Sequence, residues 1–201
     1  MNAGIGKKEK FGLMPPGLVI NKLSPKDESL KSFGLSASRL QCAFIGRITQ
    51  IKRPDRFLDV VSEVKKRGID LDFFMAGDGD LLESCRERII DKDLPVIVLG
   101  WQTDVEKLLS AADIVLLTSD NEGTPLSLIQ AGMAGLPVVT TNVGSVPEVV
   151  LDNLTGLITG LEVQEIADKY SMKKRAIATR IRRARIKIRE MFPGIKLNFI
   201  D

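Results

Sequence analysis

The chain has 201 residues, of which 44% are hydrophobic and 27% charged, and its mean hydropathy is +0.05. These are the proportions of a globular protein rather than of a disordered, collagen-like or membrane protein. The absence of histidine excludes Ser-His-Asp hydrolase triads and His-bearing zinc sites, and a net charge of +3 does not by itself indicate a polyanionic partner.

The predicted elements begin after an irregular lead-in. Pro15-Pro16-Gly17 predicts a turn, and Ser24-Pro25 followed by Asp27 predicts a second turn or a helix start. From residue 40 onward, short apolar segments alternate with amphipathic ones. We predict strands over Leu40–Ile45, Leu71–Ala76, Val96–Leu99, Ile114–Thr118 and Pro137–Thr140, with intervening helices over Pro54–Arg67, Asp80–Asp91, Asp104–Ala111 and Pro125–Ala134.

Strands that are apolar on both faces and separated by helices predict an α/β fold, a Rossmann-like parallel sheet with helices on both faces. Sheets of this kind bind ligands at the carboxyl ends of their strands. We therefore look for functional residues in the loops that follow residues 45, 76, 99, 118 and 140.

The loop after the first strand combines a glycine with several cations. Gly46 ends the strand, and Arg47, Lys52 and Arg53 follow before a helix that Pro54 opens. Cations beside the free N–H groups of a helix N-terminus form an anion site. A solvated basic loop is an equal alternative for this segment taken alone.

Three further loops contain glycine. Gly77 and Gly79 follow the second strand and allow either close approach to a ligand or a simple tight turn. After the fourth strand, Glu122 precedes residues 123–126, where a helix N-terminus suits phosphate. Glu122 either accepts hydrogen bonds from a polyol or only caps that helix. The Gly144 loop fits a ligand wall and a surface connection equally.

Taken together, these segments resemble one known family. The segments FIGRITQIKRPDRFLDVV, FFMAGDGDL, VLGW, AADIVLLTSDNEGTPLSLIQAGMAGLPVVTTNVGSVPEVV and NLTGLI occur in the order and spacing of the C-terminal, donor-binding domain of GT-B retaining glycosyltransferases of the large group 1 family. The similarity runs from about Phe11 to about Thr159. It implies a domain over residues 1–160, in which residues 1–39 are a lead-in derived from the interdomain linker.

The resemblance implies a site for a UDP-, GDP- or ADP-sugar, with no further cofactor and no metal. Arg47 and Lys52 match positions that hold the donor diphosphate, where their charges neutralise the departing group as a divalent metal does elsewhere. Glu122 matches a position that contacts sugar hydroxyls, and these three are the implied catalytic residues. The implied donor-binding positions are Gly46, Gly77, Gly79, Gly123, Thr124, Pro125, Leu126 and Gln130.

Two features depart from the family pattern. Gln130 occupies the position of the second acidic residue of the family's E-x7-E pattern. A carboxylate there would accept charge-assisted hydrogen bonds from the ribose, and their loss with a neutral amide would cost about 1–3 kcal/mol of binding. The acceptor domain of GT-B enzymes has no counterpart in the 201 residues. We therefore expect a donor-binding half, which is either a fragment, a subunit or a truncated gene product. It would act as a retaining, metal-independent glycosyltransferase if paired with an N-terminal acceptor domain, one option being a partner chain.

Residues 161–201 form a second predicted unit, a basic helical tail. It carries 11 Lys/Arg against 5 Asp/Glu, and over about 26 residues it resembles a sigma-factor-like helix-turn-helix. Isoleucines and an alanine at 177, 181, 184 and 188 fall on one helical face. The tail therefore either packs on the sheet domain, contacts DNA, or lies on an anionic membrane surface. DNA contact gives the rival hypothesis, a DNA-binding regulatory protein.

The sequence also predicts a cytoplasmic location, with peripheral membrane contact as an option. Cys42 and Cys85 are too few for a disulfide scaffold, and free thiols suit a reducing compartment. No run of about 18 apolar residues occurs, and residues 1–10 lack the apolar segment of a signal peptide.

Overall fold

The structure, a computed structural model, describes residues 17–160 and Val163. Every predicted strand and helix of the domain is present, with ends shifted by one or two residues. The strands are β1 Leu40–Ile45, β2 Leu71–Ala76, β3 Val96–Gly100, β4 Ile114–Leu117, β5 Val138–Thr141 and β6 Gly156–Thr159. The helices are α1 Lys26–Ser32, α2 Pro54–Lys66, α3 Leu82–Asp91, α4 Val105–Ala111, α5 Leu126–Met133 and α6 Val146–Val149.

The described strands form one parallel sheet in the order β3-β2-β1-β4-β5-β6. β1 pairs with β2 along its whole length, from Leu40 opposite Leu71 to Ile45 opposite Ala76. Its other edge pairs with β4. The strand order reverses between β1 and β4, and the loops that follow the two strands at such a reversal are where sheets of this kind bind ligands.

Each face of the sheet has its own hydrophobic core, which confirms the prediction of helices on both sides. On one face, Phe44 and Phe73 contact α2 and α3. The ring of the fully buried Phe57 lies edge-on to them, with centroids 5.3 Å and 5.9 Å away. The alternate strand residues, such as Ala43 and Phe74, face α1, α4 and α5. Burial of one large apolar side chain of this kind stabilises the fold by about 1.5–3 kcal/mol.

Two of these elements lie outside the predicted set, the helix α6 and the strand β6. Of the two alternatives predicted for Ser24-Pro25 with Asp27, the helix start is confirmed, because α1 begins directly after Pro25 and buries Leu30 against the core. The lead-in is therefore regular over Lys26–Ser32, where an irregular segment was expected. Lys26 of α1 donates to Asp113 Oδ1 at 2.5 Å, which fixes the helix to the turn before β4. The four-residue β6 pairs with the outer edge of β5.

The basic tail lies outside the described residues, apart from Val163, which packs against the core on the α2 and α3 face. The Pro15-Pro16-Gly17 turn also falls outside them, except for Gly17. The domain division at residue 160 and the three alternatives for the tail therefore stay predictions. Among the described helices, none combines the length and apolar character needed to cross a bilayer.

Candidate functional site

The loops that follow β1, β2, β4 and β5 lie together at the carboxyl edge of the sheet, and we call this region the rim (residues 46–53, 77–81, 118–125 and 142–145). It contains nearly all of the site residues predicted from the sequence. Because the carboxyl ends of parallel strands share one edge, residues far apart in the chain meet here.

The central contact of the rim joins Lys52 to Glu122. Lys52 Nζ donates to Glu122 Oε1 at 2.6 Å and to Oε2 at 2.8 Å. Ser119 donates its hydroxyl to Glu122 Oε1 at 2.6 Å. The Glu122 side chain is 4% exposed and that of Lys52 is 22% exposed. The alternative in which Glu122 only caps α5 is wrong, because Pro125 occupies the N-cap position and no side chain caps the helix.

A second set of contacts fastens the loop after β1 to the loop after β4, and we call it the Asp120 clamp (Arg53, Arg56, Thr118 and Asp120). Arg53 Nη1 donates to both carboxylate oxygens of Asp120 at 3.1 Å, and Arg56 Nη2 donates to Oδ1 at 2.8 Å. The buried Arg56 also donates to the Thr118 carbonyl at 2.6 Å. Thr118 in turn donates its hydroxyl to the Arg53 carbonyl at 2.9 Å.

The arginines of the clamp favour the ionised form of the Asp120 carboxylate, and Arg53 does the same for the neighbouring Asp55. Burial works to raise the pKa of Asp120, but the hydrogen bonds and charges of Arg56 and Arg53 outweigh it, so that the pKa is lowered. The hydrogen bond from Arg53 likewise lowers the pKa of Asp55. The same bond is the main cause that raises the pKa of the Arg53 guanidinium. The two loops are thus joined by charged groups that stay charged at neutral pH.

Gly77 and Gly79 allow the loops after β1 and β2 to approach each other. A Cβ on Gly77 would lie 1.9 Å from the Gly46 carbonyl oxygen, and one on Gly79 would lie 2.3 Å from that of Ile48. Glycine is therefore required at both positions by close contacts with the backbone of the loop after β1. Gly46 differs, because its Cβ position has no atom within 4 Å and faces open space.

The loop after β5 supports the segment that carries Glu122. Ser145 donates its backbone N–H to the Glu122 carbonyl at 3.1 Å, and Thr141 donates its hydroxyl to the Ser119 carbonyl at 2.7 Å. Gly144 has φ +51°, and a Cβ there would lie 1.8 Å from the Glu122 carbonyl oxygen. This loop therefore forms a wall of the rim.

The remaining predicted residues lie at the rim or beside it, and their side chains form no hydrogen bond or ion pair within residues 17–160. Arg47 is exposed and forms no hydrogen bond or ion pair with any residue in the described range. Gly123, Thr124 and Leu126 are exposed where α5 begins, and Pro125 between them is buried. Gln130 is half-buried on α5, and its amide has no hydrogen-bond partner within residues 17–160. Over the same range, no cluster of three or more acidic or cysteine side chains could hold a metal ion.

The sequence interpretation missed Ser119 and the Asp120 clamp. The signal available was the polar run that follows the apolar β4, in which Ser119 and Asp120 precede Glu122 by three and two residues. Their partners Arg53 and Arg56 are 67 and 64 residues away from Asp120, so only the fold reveals the pairing.

Comparisons with known proteins concern the family and the fold of the chain. Residues 39–172 match the family described as Glycosyl transferases group 1. A UDP-Gal:alpha-D-GlcNAc-diphosphoundecaprenol alpha-1,3-galactosyltransferase of Escherichia coli is 28% identical over 143 residues, which cover 67% of this chain and 37% of the relative. The chain spans about two fifths of the length of the curated relatives that it matches.

Two solved structures extend the comparison. A variant of TarM from S. aureus, crystallised with Fondaparinux, alpha-GlcNAc-glycerol and UDP, is 26% identical with a TM-score of 0.69 and covers 80% of this chain and 33% of TarM. The C-terminal domain of LpcC from Francisella tularensis, a glycosyl transferase group 1 family protein, is 20% identical with a TM-score of 0.70. This second match covers 85% of this chain and 94% of that domain, and at this identity it shows a shared fold.

Proposed function

Because the chain belongs to the group 1 glycosyl transferases and has their GT-B fold, we propose that its rim binds a nucleotide sugar and presents the glycosyl group for transfer to an acceptor. The observation that carries the proposal is the convergence of Lys52, Ser119 and Glu122 from two loops at the reversal of strand order. The crevice at such a reversal is where parallel α/β sheets bind nucleotides.

Each residue has a chemical role in this proposal. Arg47 is an exposed cation without a partner in the described part of the chain, so its charge is available to a diphosphate. Lys52 has three N–H donors, two of which are directed to Glu122, and one remains for a phosphate oxygen. The free N–H groups at the start of α5 suit phosphate, Glu122 suits sugar hydroxyls, and Gln130 suits ribose.

UDP is the first donor nucleotide to test, because the Escherichia coli relative uses UDP-Gal and TarM was crystallised with UDP. GDP and ADP sugars follow. For the complete reaction we propose retaining, metal-independent transfer in the cytoplasm, with the acceptor held by an N-terminal GT-B domain on a partner chain. In this scheme the cations at the rim stabilise the departing nucleoside diphosphate.

The proposal is tested by isothermal titration of the protein with UDP, GDP, ADP and UDP-glucose. We expect binding of at least one of them, and we expect Arg47→Ala to weaken it at least tenfold, because the variant removes an uncommitted cation. Lys92→Ala is the matched control. Lys92 is an exposed cation directly after the C-terminal end of α3, at the opposite edge of the sheet from the rim.

Absence of binding at millimolar concentrations for all four ligands would refute the proposal. An Arg47→Ala variant that binds as tightly as the wild type would also refute it. Arg47 is a better choice than Lys52 for this test. Removal of Lys52 leaves the buried Glu122 without its cation, so that a loss of affinity would be mixed with a loss of stability.

A further inference from the structure

The pair of Lys52 and Glu122 has a consequence for binding that rests on the proposed function. Lys52 is bound to the carboxylate of Glu122 through two contacts shorter than 3 Å. The pair as a whole carries no net charge. An anion that reaches the rim therefore meets a neutral pair, and the cation of the loop after β1 that remains uncommitted within the described chain is Arg47.

A bare diphosphate either displaces Lys52 from Glu122 or accepts only the remaining N–H of Lys52 beside the carboxylate. If Lys52 turns toward the phosphates, Glu122 keeps the hydroxyl of Ser119 but loses its counter-charge. A carboxylate that is 4% exposed is strongly destabilised when its cation leaves, since water cannot replace the lost interaction. If Lys52 stays, the carboxylate lies beside the incoming anion and repels it. Both routes weaken the binding of a ligand that brings no hydrogen-bond donors to Glu122.

We propose that Glu122 restrains Lys52 and thereby disfavours a nucleoside diphosphate that carries no sugar. A nucleotide sugar brings hydroxyl donors that replace Lys52 at the carboxylate, whereas the nucleoside diphosphate left after transfer brings none there. Glu122 is then a residue that sets specificity between donor and product, and it favours release of the product.

The test compares the affinity of the wild type and of Glu122→Gln for UDP, GDP and ADP by isothermal titration. The substituted amide would keep the length of the side chain and an acceptor for Ser119 but would free the ammonium of Lys52. We expect about tenfold tighter binding of the nucleoside diphosphate. Asp91→Asn is the matched control, because it removes one exposed negative charge at the C-terminal end of α3, at the opposite edge of the sheet from the rim.

We expect Asp91→Asn to change the affinity less than about twofold. The inference is overturned if Glu122→Gln binds UDP as weakly as the wild type or more weakly, and also if Asp91→Asn tightens binding to the same extent. Thermal unfolding of each variant checks that it is folded. Glu122→Ala serves as a second replacement, since it removes the same charge and should shift affinity in the same direction.

The outcome separates this inference from the proposed function. If the wild type binds a nucleotide and Glu122→Gln does not bind it more tightly, only the inference fails. If the wild type binds none of the nucleoside diphosphates and no UDP-glucose, the proposed function fails and the inference with it. If the wild type binds UDP-glucose and only Glu122→Gln binds the nucleoside diphosphates, both are supported, because the restraint by Glu122 then disfavours the diphosphate in the wild type.

Discussion

Gly144 offers a test of how closely the loop after β5 supports Glu122. At φ +51° its backbone is in the left-handed region, and a Cβ would lie 1.8 Å from the Glu122 carbonyl oxygen and 2.8 Å from the carbonyl carbon. We expect Gly144→Ala to force the two loops apart by more than about 1 Å, since Cβ atoms in proteins stay beyond about 3 Å from such atoms. The Ser145 to Glu122 backbone hydrogen bond would then be lost.

The magnitude follows from two contributions. The left-handed conformation costs an alanine about 1 kcal/mol. Loss of the hydrogen bond and the forced displacement add about 2 kcal/mol. A total of about 3 kcal/mol corresponds to a decrease of about 6–12 °C in Tm for a domain of this size.

Gly68→Ala is the matched control for the backbone term. Gly68 has φ +65°, but no atom lies within 4 Å of its Cβ position, so we expect a loss of only about 1 kcal/mol. Urea unfolding of both variants measures the difference, and titration with UDP shows whether displacement of Glu122 also weakens binding. Equal losses of stability in the two variants would refute the argument, since the contact with Glu122 would then contribute nothing.

Two further predictions concern the Asp120 clamp and Gln130. Asp120 has a folded pKa below its unfolded value of about 3.9, so its contribution to stability is present above that pH and is lost as the pH falls through the folded pKa. We expect Asp120→Asn to lower stability by about 1 kcal/mol at about pH 6, a modest effect because the carboxylate is 41% exposed, and the difference from the wild type should shrink toward about pH 3. A difference that is constant with pH in thermal unfolding would contradict this. We expect Gln130→Glu to tighten UDP binding about threefold to tenfold at unchanged Tm, because a carboxylate accepts ribose hydrogen bonds more strongly than an amide. Weaker or equal affinity by titration would show that the amide is already well accommodated.

The sheet could be predicted because local signals agreed with the global fold. Strands such as Ile114–Leu117 are continuous apolar runs, and helices such as Pro54–Lys66 begin with proline and keep one apolar face. For α1 the sequence predicted only a turn or a helix start at Ser24-Pro25, because the seven residues of the helix, KDESLKS, contain one large apolar side chain. The β6 strand escaped because it has four residues and starts at Gly156. Its place in the sheet depends on pairing with β5 rather than on its own pattern.

The candidate site could be predicted at the level of loops but not of contacts. The positions of Lys52 and Glu122 follow from the carboxyl-edge rule for parallel sheets. Their direct ion pair does not, because it joins residues 70 apart in the chain. Gly77 and Gly79 show a further limit. A glycine that lets a ligand approach and a glycine that lets another loop approach have the same sequence pattern, and only the neighbouring Gly46 and Ile48 carbonyls distinguish them.

The thiols of Cys42 and Cys85 can report local unfolding of the protein. Cys42 lies at the centre of the sheet with no exposed surface, and Cys85 lies on α3 at 4% exposure, where burial raises its pKa. A maleimide reagent can therefore label either sulfur only in molecules that have opened there. Labelling rates at the two positions, followed by mass spectrometry of peptides, would separate detachment of α3 from rupture of the central strands, with no engineered probe in the protein.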